Sequence, residues 1–115
     1  MPLSLEARKE LLQISRRTLE VFLREHRLLP VKPGHPALTE NSGAFVTLEN
    51  RGQLRGCIGH IAADKPLYLT VQEMAVQAAT GDPRFPAVTL RELPEIRIEV
   101  SVLSPLRRIT DPSEI

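Results

Sequence analysis

Hydrophobic residues recur at helical spacing near the start of the chain. Leu11, Ile14, Thr18, Leu19 and Phe22 form one stripe, widened by Leu12 and Leu23. Glu6, Arg8, Glu10, Arg17, Glu20 and Arg24 decorate the remaining surface. The pattern predicts an amphipathic helix with one buried face, opening at a Ser4 N-cap and running to about Arg27. From Leu28 to Gly43 the pattern breaks. Pro30, Pro33 and Pro36, with Gly34 and Gly43, forbid regular structure over most of this stretch. A connection of this length is either a binding loop or a strap wrapped over the core. His35 within it reads as a solvent-facing loop residue.

Ala44–Glu49 predicts a strand. Asn50-Arg51-Gly52 then predicts a three-residue hairpin loop closed by a left-handed glycine, with the returning strand from Gln53 to about Ile61. Asp64 offers an N-cap and Pro66 suits the first turn of a second helix, marked by Leu67, Val71, Met74, Ala75 and Ala78. Its small residues Ala75, Ala78 and Ala79 permit close packing on a sheet, and Gly81 is the expected stop. After the irregular run Asp82-Pro83-Arg84-Phe85-Pro86, Ile96, Ile98, Val100 and Val102 alternate with Arg97, Glu99, Ser101 and Leu103. This alternation predicts a strand with one face buried and the other partly wet. Helices and strands occur in blocks with a hairpin. The expected fold is therefore α+β, a largely antiparallel or mixed sheet packed by two amphipathic helices, rather than a doubly wound α/β sheet.

Size and composition narrow the function classes. A chain of 115 residues makes one domain that buries roughly 65% of its unfolded surface. Aromatic residues are only 3% of it, so the core should be aliphatic. A net charge of +1 provides no basic footprint for nucleic acid. The single cysteine, Cys57, excludes an intrachain disulfide and an iron–sulfur cluster held by this chain's cysteines alone. No run approaches the ~20 apolar residues that span a bilayer, and Met1–Glu6 lacks a secretory pattern. A cytoplasmic protein without a membrane partner is expected.

The segment Leu54-Arg55-Gly56-Cys57-Ile58-Gly59 concentrates the candidate chemistry. On a regular strand Arg55 and Cys57 share one face, with Leu54 and Ile58 on the other. A cation beside a thiol favours the thiolate, and Gly56 and Gly59 leave room for a ligand or another backbone. Cys57 is then either a functional thiol or a small buried hydrophobe. Arg55 either grips an anion or tunes Cys57, or else makes a structural ion pair. A Cys57–His60 dyad would need a bulge, which Gly59 could allow. In the later run, Asp82 could cap a turn, Arg84 anchor it and Phe85 plug the core. Alternatively, Arg84 faces the same cleft as Arg55 in a two-arginine anion site. Glu73, the only acid within the second helix, should face water. No metal-ligand spacing accompanies Cys57, and no cofactor is implied.

The hexamer, followed by Gly-Asp-Pro-Arg-Phe-Pro (81–86) and Ile-Glu-Val-Ser-Val-Leu-Ser-Pro (98–105), closely resembles the AMMECR-one domain family. Its prokaryotic members are called AmmeMemoRadiSam system protein A. Ala87 stands where members often carry a second proline. The resemblance implies a two-part α+β fold with a cleft near the hexamer. Arg55, Gly56, Gly59, Asp82 and Arg84 are the candidate ligand-binding residues, and Cys57 the candidate catalytic one. It also implies association with a Memo-like protein and a radical S-adenosylmethionine enzyme. The family's domain continues past Ile115, and Asp111-Pro112-Ser113-Glu114 reads as a helix start. The chain is therefore expected to be one domain, residues 1–115, lacking its C-terminal segment, and to self-associate through that exposed side. Three function classes follow. They are an accessory substrate-binding component of a multi-protein enzyme system, a stand-alone thiol enzyme using Cys57, and an interaction module without catalysis.

Overall fold

In the computed structural model, residues 3–103 and 106–109 are described; the helix start expected at 111–114 lies outside them. Helix α1 spans Leu5–Glu25. The hairpin strands β1 (Ala44–Asn50) and β2 (Gln53–His60) follow. Helix α2 (Leu67–Thr80) and strands β3 (Ile96–Leu103) and β4 (Leu106–Ile109) complete the order. The sheet is antiparallel throughout, ordered β2-β1-β3-β4. This is the α+β arrangement expected from the hydrophobic pattern.

Alternation fixes which face of the sheet is covered. Ala44, Val46 and Leu48 of β1 lie opposite Val102, Val100 and Ile98 of β3, and all are buried. The helices cover this face, α2 across β1 and β2, and α1 against α2 and β3. Ser4 caps α1, its Oγ accepting the Ala7 N–H at 3.1 Å. Such a cap contributes about 1 kcal/mol. Fully burying a leucine such as Leu11 or Leu19 contributes about 1.5–3 kcal/mol, so packing holds this helix more than its cap does. It ends at Glu25, two residues short of expectation, because His26 turns left-handed at φ 57°. The His26 N–H still reaches the Phe22 carbonyl at 2.8 Å.

The connection 28–43 is a strap. Leu38 is fully buried, and Pro36–Thr39 form a 3-10 turn around it. The Glu10 carboxylate accepts the Gly34 N–H at 2.7 Å and bonds His35 Nδ1 at 2.6 Å. His35 is thus tied to α1 rather than simply facing solvent. These contacts oppose Glu10's protonation and outweigh the contrary effect of burial, so its pKa falls, chiefly through the Gly34 N–H and then through His35. The strap's Glu40 carbonyl accepts the first N–H of α2, from Leu67, at 2.9 Å. That bond replaces the side-chain cap expected from Asp64. Asp64 instead pairs with His60 Nε2 at 2.9 Å. Lys65 Nζ lies 2.6 Å from Glu73, so that acid is also paired rather than merely solvated.

The hairpin departs from expectation in two ways. Asn50 pairs with Gln53, and both Arg51 (φ 52°) and Gly52 (φ 79°) are left-handed. The loop therefore has two residues of the type whose twist matches paired strands, not three. Leu48 opposes Gly56 while Glu49 opposes Leu54, which leaves Arg55 as the extra residue of a β-bulge. Leu54 consequently shares Glu49's side of the sheet and is 39% exposed, instead of pointing to the face taken by Ile58.

Gly56 lies beneath the Ala78 carbonyl of α2, where a Cβ would meet the backbone oxygen. Gly59 is covered by the Phe45 ring. Gly56→Ala should destabilise the fold by about 1–3 kcal/mol, since the obstructing atom is backbone and the helix must move. Gly59→Ala should also destabilise but by less, because the obstruction is the near end of the Phe45 ring, which must rotate away, and not helix backbone. Denaturant midpoints of the two variants check the ranking. An unaffected Gly56→Ala would mean that α2 does not sit this close.

Candidate functional site

As the edge strand, β2 has alternate backbone groups without a strand partner. The segment Asp82–Pro86 partners one of these backbone groups and one side chain of the strand. Asp82 Oδ2 accepts the Cys57 N–H at 3.0 Å, and Arg55 Nη1 donates to the Pro86 carbonyl at 3.1 Å. Because the Cys57 N–H points outward, Cys57 and its opposite residue Thr47 form a pair without mutual backbone bonds, the kind whose side chains come close. Thr47 Oγ1 and Cys57 Sγ are 3.2 Å apart. Cys57 is half-buried on the face away from the helices.

Asp82 is the most enclosed acid of this region, its side chain 2% exposed. Arg84 grips it with a fork, Nε to Oδ1 at 3.0 Å and Nη2 to Oδ2 at 2.7 Å, and its own N–H reaches Oδ1 at 3.1 Å. The guanidinium is the largest influence on the Asp82 carboxyl. It outweighs desolvation and, with the N–H groups of Arg84 and Cys57, holds the pKa well below the usual carboxylate range. Arg84's own pKa is raised mainly by Asp82, with a smaller contribution from Cys57. The thiol is therefore within electrostatic reach of Arg84. The Arg84 guanidinium also sits 5.3 Å from the Phe85 ring centroid, so half-buried Phe85 supports the arginine instead of plugging the core.

Arg55 belongs to a second ion pair. Its Nε and Nη2 hold Glu92 at 2.7 and 2.8 Å, and Asn50 Nδ2 donates to the same carboxylate at 2.9 Å. Led by the Arg55 fork and helped by Asn50 against desolvation, Glu92's pKa falls to about 2. Arg55's pKa rises through Glu92 in return. The two arginines each hold their own acid, so the structure does not present the paired anion site considered from the sequence.

The other candidates separate by role. Gly56 admits a helix backbone and Gly59 an aromatic ring. His60 opposes Ala44 while Cys57 opposes Thr47, which puts their side chains on opposite faces, so no dyad forms. Thr47, Asn50 and Glu92 were not anticipated as site residues. Thr47 could have been found from an exact hairpin register, but no local spacing links Glu92 to Arg55. Among the described residues, no group of three or more His, Cys, Asp or Glu is placed to hold a metal. No helix among them is long and apolar enough to cross a membrane.

An antiparallel sheet covered on one face by two helices, with a motif loop pinned to its edge strand, defines the class. A family model of AMMECR1 matches residues 12–115. A curated protein from Methanothermobacter thermautotrophicus is 46% identical over 105 residues, covering 90% of this chain and 55% of its own. Protein PF1979 of Pyrococcus furiosus is 42% identical over 110 residues, covering 90% and 52%. The crystal structure of uncharacterized protein PH0010 from Pyrococcus horikoshii matches with a TM-score of 0.80 at 37% identity, over 84% of this chain and 51% of that one. The chain belongs to the AMMECR1 family. It spans about half the length of the curated relatives it matches.

Two measurements probe the site. Alkylation of Cys57 by iodoacetamide in the folded protein should change more in Arg84→Gln, which breaks the fork holding Asp82 against the Cys57 N–H, than in Arg55→Ala, whose acid is Glu92. Equal rates in both variants would show that the Asp82–Arg84 pair does not govern access to the thiol. Glu92→Gln should lower stability at pH 7 by about 1–3 kcal/mol. Glu92's folded pKa lies below its ordinary value of 4.5. The stabilisation is thus full above that value and disappears as pH falls through about 2. Denaturation of both proteins across this range should show the difference closing.

Proposed function

We propose that this chain is an accessory, substrate-binding component of a multi-protein enzyme system, working in the cytoplasm with a Memo-like protein and a radical S-adenosylmethionine enzyme. Its ligand seats beside Leu54–Gly59, against Cys57 and Arg84. The observation that carries this reading is the bracing of Cys57: its backbone N–H is held by an enclosed carboxylate whose own arginine stands near the thiol. Arg55, Gly56, Gly59 and Asp82 shape the site from behind, while Cys57, Thr47 and Arg84 present the thiol, hydroxyl and cation that a ligand meets. The second wall of the cleft belongs to the additional length of the relatives. The choice of partners rests on family membership.

A stand-alone thiol enzyme would require a base for Cys57. The histidine next along the strand turns to the other face and is paired with Asp64. Binding therefore accounts for the geometry better than catalysis by this chain alone.

The test is co-purification of the chain with a Memo-like protein from one genome. Complex formation is expected for the wild type and loss of it for Arg84→Glu. No complex under any condition would overturn the partnership, and a complex indifferent to Arg84→Glu would move the contact elsewhere. Self-association through the C-terminal side is part of the same proposal. Sedimentation should give a species larger than a monomer, and a strict monomer would remove it.

A further inference from the structure

A cavity of about 250 Å³ lies between α1 and the first part of the strap. Helix α1 contributes Glu10, Gln13, Ile14 and Arg17, and the strap contributes residues Leu29 to Lys32. Both walls are fixed. The Leu29 carbonyl accepts from the amide of Gln72 at 2.8 Å, and the same buried amide donates to Thr18 at 3.0 Å. Further along, Gly34 and His35 fasten the strap to Glu10. A ligand entering here would not have to order the segment that receives it.

The charges are distributed unevenly. Among the described residues, Arg17 and Lys32 have no hydrogen bond or ion pair with another residue. They come from opposite walls, and both are cationic at neutral pH. Glu10 is ionised and already occupied by its two strap contacts, so it repels a second negative group. Ile14, Leu29, Pro30 and Val31 supply the smaller, apolar part of a lining that is otherwise polar.

We propose that this cavity is a binding site for small aliphatic monocarboxylates. The carboxylate lies between the Arg17 guanidinium and the Lys32 ammonium, the alkyl body rests on Ile14 and Val31, and Glu10 rejects dianions. The site is separate from Cys57 and does not depend on the function proposed there.

The experiment is an amide NMR titration of the whole chain with pentanoate, its neutral analogue pentanol and the dianion glutarate. Pentanoate should give saturable shifts at Gln13, Arg17, Val31 and Lys32, with a Kd on the order of 1 mM for roughly seven non-hydrogen atoms. Pentanol and glutarate should each bind at least about tenfold more weakly. Arg17→Gln and Lys32→Gln, both at exposed positions, should weaken pentanoate by a similar factor, as expected for loss of a charge-assisted hydrogen bond. Comparison within the wild type keeps the test decisive even if a variant folds poorly. Shifts that never saturate, equal binding of pentanol, or equal binding of glutarate would each overturn the proposal. So would pentanoate affinity unchanged in both variants.

Discussion

The register of the hairpin depends on one extra residue in β2. A two-residue loop at Arg51-Gly52 continued without interruption would set Cys57 opposite Val46, on the face covered by the helices. With Arg55 bulged out, Cys57 instead opposes Thr47, and Gly56 falls beneath α2. A shift of one residue exchanges the two faces of a strand, so this bulge decides whether the thiol is core or surface. The bulged residue is anchored by a two-point ion pair to Glu92, itself held by Asn50 at the hairpin end. The helix packing, the exposure of Cys57 and the position of the motif loop all follow from that arrangement.

Asp82 completes it from the other side. A carboxylate removed from water is unfavourable unless donors replace the lost solvent. Here the donors are the Arg84 fork and two backbone N–H groups, one of them from the strand edge. The same bonds that compensate Asp82 tie residues 82–86 to β2 and occupy one backbone donor of an edge that could otherwise pair with a foreign strand. Arg84 remains partly in solvent, at 57% exposure. The Arg84 cation is thus both anchored and accessible, which suits a binding surface. Arg55, at 17% exposure, serves the architecture.

The helical layer has its own polar tie. Gln72 is 1% exposed and spends its amide hydrogens on Thr18 of α1 and the Leu29 carbonyl of the strap. An apolar residue there would leave that carbonyl without this donor. The strap then repays the contact by capping α2 through Glu40. Two helices and an irregular connection therefore behave as one layer over the sheet, and the wall beside Arg17 and Lys32 is part of it.

The sequence by itself determined the helices, the hairpin, the buried face of β3 and the close approach permitted by Ala78, because periodicity and small residues act locally. It also located the segments around Cys57 and Asp82, whose glycines, prolines and charges stand out against a plain aliphatic background. Only the tertiary structure decided which acid each arginine holds, which residue bulges and what occupies the space above the glycines. Arg55 meets Glu92 across a separation of 37 residues and Cys57 meets Asp82 across 25. Such pairings depend on how α2 and the motif loop fold back onto the strand edge. The Asp64 cap was a reasonable local reading that a strap carbonyl displaced, and the Cys57–His60 dyad fails because pairing runs without a bulge from Cys57 to His60. Local preference proposes partners, and long-range packing chooses among them.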